Sequence, residues 1–196
     1  MITLNDLVVG YKGKPLMKPL TVTFEDGKIY GILGKSGCGK STLLKTIARM
    51  HKPISGSVKR SDGYTIYMMC QKYTNFNWLS CLDNVLIAER NKRKRKDLEP
   101  LAKKVLEQVG LGEYLDRYPT ELSGGMQQRL ALARVLFVRP KYLLMDEPLS
   151  ALDDSTRAIM QQLIIDVHKE TNNTIIMVTH SVEEANKMCD QIIKLN

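Results

Sequence analysis

"IYGILGKSGCGKS", residues 29 to 41, passes from an apolar run into a glycine-rich turn and then into a segment of helical period. Its last eight residues match the phosphate-loop pattern, with Gly34, Gly39, Lys40 and Ser41 at the fixed positions, directly after a strand and before a helix. Glycines let the backbone curl so that successive N–H groups point inward, and the helix N-terminus adds its partial positive charge to that cradle. Lys40 is placed to reach the β and γ phosphates as a point charge, and the Ser41 hydroxyl to take one position on Mg²⁺. The expected ligand is a magnesium nucleotide, held by Gly34, Lys35, Ser36, Gly37, Cys38, Gly39, Lys40, Ser41 and Thr42.

Working outward, "TIYMMCQ" (65 to 71), "YLLMDEP" (142 to 148) and "TIIMVTH" (174 to 180) are further buried runs that alternate with segments of helical period. That alternation is the mark of an α/β protein built on a largely parallel sheet. Each run ends in polar residues, and open parallel sheets collect their ligands at the carboxyl ends of the strands. The expected fold is a phosphate-loop NTPase core with an N-terminal antiparallel β part, formed by "ITLNDLVV" and "TVTF" around a turn from Gly10 to Pro19, and a helical subdomain insert.

Between Asp83 and Tyr118 the chain turns helical: Leu101, Val105, Leu106 and Val109 fall on one face, and Gly110 is placed to end the helix. Other helices are expected to start near Ser41, Ser123, Asp154 and Ser181. The last opens with "SVEE", a capping-box pattern, and Pro140 closes the helix that follows Ser123. The expected organisation is a single domain over 1–196, with the helical subdomain at approximately 72–139 inserted in the core.

Composition narrows the class. With 43% hydrophobic and 26% charged residues in 196, the chain can bury one ordinary core. No run approaches the ~18 apolar residues that span a bilayer, and "MITLNDLVVG" lacks a basic n-region, so neither secretion nor membrane spanning is expected. The four cysteines show no CxxC spacing and no paired histidine cluster, which leaves free thiols in a reducing compartment. The net charge of +8 suits nucleic acid, a nucleotide or an anionic membrane face. Much of the excess sits in "RNKRKRK" (90 to 96), readable either as a solvated face or as a contact with phosphate or lipid headgroups.

Asp146 and Glu147 end a buried strand, where consecutive side chains point to opposite faces and so serve different ends. Asp146 is placed to hold the Mg²⁺ shell, and Glu147 to face a water lined up on the γ phosphate. Gln71 can orient water or metal, and His180 can donate to the γ phosphate. The candidate catalytic residues are therefore Glu147, His180 and Gln71, and the candidate metal ligands Ser41, Gln71 and Asp146. Tyr11 either offers its ring face to adenine or is an ordinary turn residue. In "LSGGMQQR" (122 to 129), Ser123, Gly124 and Gly125 present a hydroxyl and unobstructed N–H groups at a helix start, a second anion site. One phosphate loop and one such site in a single chain suggest a head-to-tail pair sharing two nucleotides.

Taken in order, "GKSGCGKS", Gln71, "LSGGMQQR", "YLLMDEP", "SALD" (150 to 153) and "TH" (179 to 180) make the chain resemble the nucleotide-binding subunits of ABC transporters over essentially its whole length. The resemblance implies that Ser123, Gly124 and Gly125 touch nucleotide bound by the other subunit, and that Asp153 lies in the loop crossing the dimer interface. It implies an ATPase that closes as an ATP-dependent homodimer, or with an equivalent ATPase subunit, and drives an integral membrane permease. No specific nucleic acid is expected. The chain would then sit peripherally on the cytoplasmic face of the cell membrane, reached through that partner.

"QKYTNFNWLSCLDNVLIAER" (71 to 90) resembles the matching region of importer subunits for nitrate, sulfonates and taurine, where Trp78 and Leu79 either pack on a coupling helix or belong to the loop's own core. Two departures stand out. The stretch from Gly56 to Gln71 is short for the family, as though a hairpin were missing, and the chain stops soon after His180, so no regulatory tail is expected. A soluble ABC-type ATPase acting on nucleic acid, ribosomes or protein assembly is the alternative, supported mainly by the +8 charge. An ATP sensor without turnover is disfavoured by the presence of both Glu147 and His180.

Overall fold

The computed structural model describes residues 1–60, 65–70, 75–89 and 94–195. In chain order these form β1 (Ile2–Val8), β2 (Gly10–Tyr11), β3 (Lys14–Pro15), β4 (Leu20–Phe24), β5 (Ile29–Gly34), α1 (Lys40–Ile47), β6 (Ser55–Arg60) and β7 (Ile66–Met69). There follow α2 (Cys81–Leu86), α3 (Arg95–Gln108), α4 (Gly124–Val138), β8 (Tyr142–Asp146), α5 (Asp154–Thr171), β9 (Thr174–Thr179), α6 (Val182–Met188) and β10 (Gln191–Leu195). The chain divides into two compact units, one of residues 1–68, 141–147 and 168–196, the other of residues 69–140 and 148–167.

The first unit holds the sheet, in the order β10-β5-β9-β8-β7. β5 runs parallel to both β9 and β10, and β8 runs parallel to β9. Every residue of β8 and β9 is buried, as expected of strands covered on both faces. A second, three-stranded sheet sets β1 between β4 and β6, antiparallel to both. Leu4 stands opposite Val22 on one side and Val58 on the other, so this sheet also turns an apolar face inward. One core of Ile2, Leu4, Leu7, Phe24, Tyr30, Ile32, Leu43, Leu44, Ile47, Leu144, Ile176 and Val178 joins both sheets to α1. Phe24 and Tyr30 meet there edge to face at 4.9 Å.

The second unit is helical. Gly110, with φ +69°, follows the end of α3 in the left-handed conformation expected of a helix stop. The expected face of α3 is buried at Leu106 and at Val109 beyond the helix, but its first turns differ: Leu98 and Ala102 are inside, while Leu101 is 46% exposed. The spacing 98, 102, 106, 109 is itself a helical stripe, which shares its second half with the expected one. Of the basic run, residues 90 to 93 lie outside the described residues. Arg95 pairs with Asp83 and with Glu99, which lies one turn further along α3.

Candidate functional site

The phosphate loop leaves β5 at Gly34 and enters α1 at Lys40. Gly37 and Gly39 have φ of +81° and +95°, a region that side chains with a Cβ rarely occupy, so the curl of the loop depends on them. A Cβ on Gly37 would meet nothing within 4 Å, which leaves the mouth of the loop open. The Lys40 side chain is 7% exposed, and its ammonium donates to the Gly34 and Lys35 carbonyls at 2.7 and 3.0 Å. A buried ammonium that donates to two neutral carbonyls is a cation prepared for an anion.

The Ser41 hydroxyl donates to Asp146 Oδ1 at 2.9 Å, joining the first turn of α1 to the end of β8. Burial raises the Asp146 pKa, the Ser41 hydrogen bond opposes that shift, and the neighbouring Glu147 charge adds to it. Among the described residues no group of three His, Cys, Asp or Glu side chains is placed to cage a metal. One hydroxyl and one carboxylate are instead the hard oxygen donors that Mg²⁺ takes alongside phosphates and water, so the donor set fits that ion.

Glu147 departs from the expected alternation. β8 ends at Asp146, and Glu147 has φ +50°, so its side chain is aimed by a left-handed turn rather than by the strand pleat. Its N–H donates to Val178 O at 3.0 Å, which fixes the turn against β9. The conformation carries a strain of about 1–3 kcal/mol, the kind of outlier that clusters at functional sites. Glu147 Oε1 lies 3.9 Å from Nδ1 of His180, which follows β9 and is largely exposed.

The turn at His180 is clamped on both sides. Ser181 caps α6, its hydroxyl oxygen accepting from Glu184 N at 3.1 Å. The buried Glu184 carboxylate accepts the Thr179 hydroxyl, and Thr179 Oγ1 accepts from Ser181 N at 3.1 Å. The capping box suggested by "SVEE" is thus closed through Thr179, a link that sequence spacing does not reveal.

Tyr11 sits on the β2–β3 hairpin, 51% exposed, with its phenol oxygen 3.3 Å from the Thr42 hydroxyl of α1. In the second unit, Ser123 caps α4 by accepting from Met126 N at 3.3 Å, and a Cβ on Gly124 would meet nothing within 4 Å. Asp153 precedes α5, where its carboxylate accepts from the Ser155 hydroxyl and from Thr156 N at 2.9 Å. These bonds hold its pKa well below the usual carboxylate range. Gln71 lies outside the described residues.

Cys38 is a partly exposed thiol within the loop, whereas burial pushes the Cys81 thiol up to about 11 and the Cys189 thiol up to about 12. Iodoacetamide at pH 8 is therefore expected to modify Cys38 and spare Cys81 and Cys189, since only the thiolate reacts. Saturating MgATP should protect Cys38, read by peptide mass spectrometry. Labelling of Cys38 that proceeds at the same rate with MgATP bound would remove the nucleotide from this loop.

A parallel sheet whose interior strand β5 opens into a phosphate loop, with acidic and histidine strand ends beside it, defines a phosphate-loop ATPase of the cassette class. The chain belongs to the ABC transporter family: that family's model matches residues 17–150. It is 40% identical to the aliphatic sulfonates import ATP-binding protein SsuB 2 of Agrobacterium fabrum, over 94% of this chain and 71% of that protein. It is 39% identical to the spermidine/putrescine import ATP-binding protein PotA of Trichodesmium erythraeum, over 93% of this chain and 50% of that protein. Among solved structures, the dimeric post-hydrolysis state of the ATP-binding cassette MJ0796, bound to ADP and Pi, superposes with a TM-score of 0.90. The two are 29% identical, and the match covers 100% of this chain and 94% of that one.

Proposed function

We propose that this ATPase powers import of a small solute, closing head to tail on ATP with a second copy or an equivalent ATPase subunit and driving a separate membrane permease. The observation that carries the reading is the convergence of three chain segments. Lys40 and Ser41 enter α1, Asp146 bonds Ser41 from the end of β8, and Glu147 meets His180 across the ends of β8 and β9. Lys40 is the group that binds the β and γ phosphates, and Ser41 and Asp146 are the residues that would hold magnesium. When bound, that ion neutralises charge on the phosphate oxygens. Glu147 accepts the proton of an attacking water, and His180 orients beside it and donates to the γ phosphate.

The second copy contributes the other half of the site. Ser123 keeps its hydroxyl proton for a phosphate oxygen, because its oxygen is the acceptor in the cap, and Gly124 leaves the helix N-terminus open. The dimeric form of the superposed cassette supports this pairing.

Among the described residues no helix is long and apolar enough to cross a membrane, so the solute path is assigned to a partner at the cytoplasmic face. Trp78, 72% exposed, stands on a loop that the buried Asn84 amide fixes by donating to the Phe76, Leu79 and Ser80 carbonyls at 2.9–3.0 Å. An exposed indole on a rigid loop suits docking, and the importer names of the relatives support a permease over a nucleic-acid target. Sulfonate and polyamine proteins stand at nearly equal identity, so solute choice is assigned to the permease.

The tagged protein, taken from detergent-solubilised native membranes, is expected to bring with it a stoichiometric multi-spanning protein, identified by mass spectrometry. The Trp78→Ala variant should lose that partner while still binding ATP. Recovery of soluble partners alone would move the reading to a soluble ATPase.

A further inference from the structure

We propose that His51 is a positioning residue of the nucleotide site: it backs the Tyr11 ring and holds it to the helix of the phosphate loop. The proposal rests on the reading that Tyr11 carries the base of the nucleotide. His51 lies after α1 and is used by none of the phosphate chemistry above.

Tyr11 stands at the second position of a strand of only two residues and opposes Lys14 across a two-residue turn. Lys12 and Gly13 have φ of +49° and +76°, the paired left-handed conformation of the tight hairpin turn that matches strand twist. This fixes the Cα of Tyr11 but not the ring, which is half exposed and would be free to swing about χ1.

Two contacts settle the ring. The imidazole of His51 packs at 4.9 Å between centroids, tilted by 52°, and the Thr42 hydroxyl meets the phenol oxygen at 3.3 Å. Thr42 lies in the first turn of α1, and the backbone N–H of His51 donates to the Lys45 carbonyl of the same helix at 3.2 Å. Both supports are therefore tied to the helix that presents the phosphate loop, Thr42 as part of it and His51 by its backbone hydrogen bond, and they set the ring at a fixed distance from the phosphates.

The imidazole is itself held. Its Nε2 lies 2.8 Å from the Gly10 carbonyl, and because a carbonyl only accepts, Nε2 carries the hydrogen. That bond ties His51 to the residue next to Tyr11, so imidazole, Gly10 and Tyr11 form a short closed circuit. Gly10 permits it: a Cβ there would lie 2.0 Å from the Lys14 carbonyl and 2.7 Å from Ile54 Cδ1. With one side of the tyrosine ring taken by the imidazole, its exposed side is left for a base, and stacking of a base on an aromatic ring is tolerant of base identity.

The test is isothermal titration of ATP and of inorganic tripolyphosphate, both with Mg²⁺, against wild type, His51→Ala, His51→Phe, Tyr11→Ala and the double variant. His51→Ala is expected to weaken ATP about tenfold, roughly what one stacking contact is worth, and to leave tripolyphosphate within about twofold. His51→Phe, which keeps a ring against Tyr11, should recover part of the loss. The double variant should bind ATP no more weakly than Tyr11→Ala alone. If Tyr11→Ala weakens ATP selectively and His51→Ala does not, the positioning role is wrong and the base reading stands. If Tyr11→Ala leaves ATP binding untouched, the base reading fails and takes the proposal with it. Equal losses for ATP and tripolyphosphate in His51→Ala, or additive losses in the double variant, would likewise overturn it. Should His51→Ala fail to fold, His51→Phe and His51→Asn carry the same comparison.

Discussion

A Glu147→Gln variant binds ATP with near wild-type affinity, loses about 10²–10⁴-fold in hydrolysis and elutes as a dimer in saturating MgATP. The loss is that of a positioned base. Glutamine has the same length and shape, keeps the backbone N–H that donates to Val178 O, and meets the same left-handed conformation at φ +50°, so the turn after β8 is preserved. Only the capacity to accept a proton from water disappears. Lys40, Ser41 and the loop amides are untouched, so affinity for the phosphates should remain. A nucleotide that binds and is not hydrolysed keeps both copies closed on it, because closure persists for as long as the phosphates bridge the two half-sites. Phosphate release, equilibrium ATP binding and size-exclusion chromatography check the three parts separately. Wild-type turnover in this variant would take Glu147 out of the chemistry, and a monomer in MgATP would take ATP out of the interface.

The elements legible in the sequence are those whose residues carry their own constraint. β8 and β9 are buried along their whole length, and a run such as "TIIMVT" has no other way to satisfy its surface. The phosphate loop is legible because its glycines are required by backbone conformation, as Gly37 and Gly39 demonstrate. β6 is different: "SGSVKR" offers no apolar run, and only its pairing with β1, with Val58 opposite Leu4, makes it a strand. The first turns of α3 are less legible for a related reason. Several of its apolar residues fit more than one helical stripe, and the packing of the unit decides between them.

The candidate site divides along the same line. Ser41 and Asp146 could be paired from motif spacing, and they are in fact bonded at 2.9 Å. The left-handed turn at Glu147 could not, because the alternation argument presupposes an extended backbone that ends one residue earlier. His51 carries no motif at all. Its contact with Tyr11 joins residues on either side of the phosphate loop, brought together in the fold by the β2–β3 hairpin.

Asp146→Asn is expected to stabilise the nucleotide-free protein at neutral pH while it lowers ATP hydrolysis about 10²-fold or more. Burial disfavours the Asp146 charge and raises its pKa above the ordinary carboxylate range. Between the ordinary value and the raised one the folded state binds more protons than the unfolded state, so stability falls as pH rises through that window. Asparagine does not ionise, fits the same space and still accepts the Ser41 hydroxyl. Thermal unfolding without nucleotide should therefore show a higher Tm for the variant at pH 7, by about 2–4 °C for each kcal/mol of burial cost relieved in a chain of this length, with the gain shrinking below the ordinary carboxylate range. Added MgATP should reverse the order, because the charge that destabilises the empty site is the one proposed to hold the cation. A variant no more stable than wild type at pH 7 without nucleotide would show that the carboxylate bears no burial cost, and one that hydrolyses ATP normally would place the metal elsewhere.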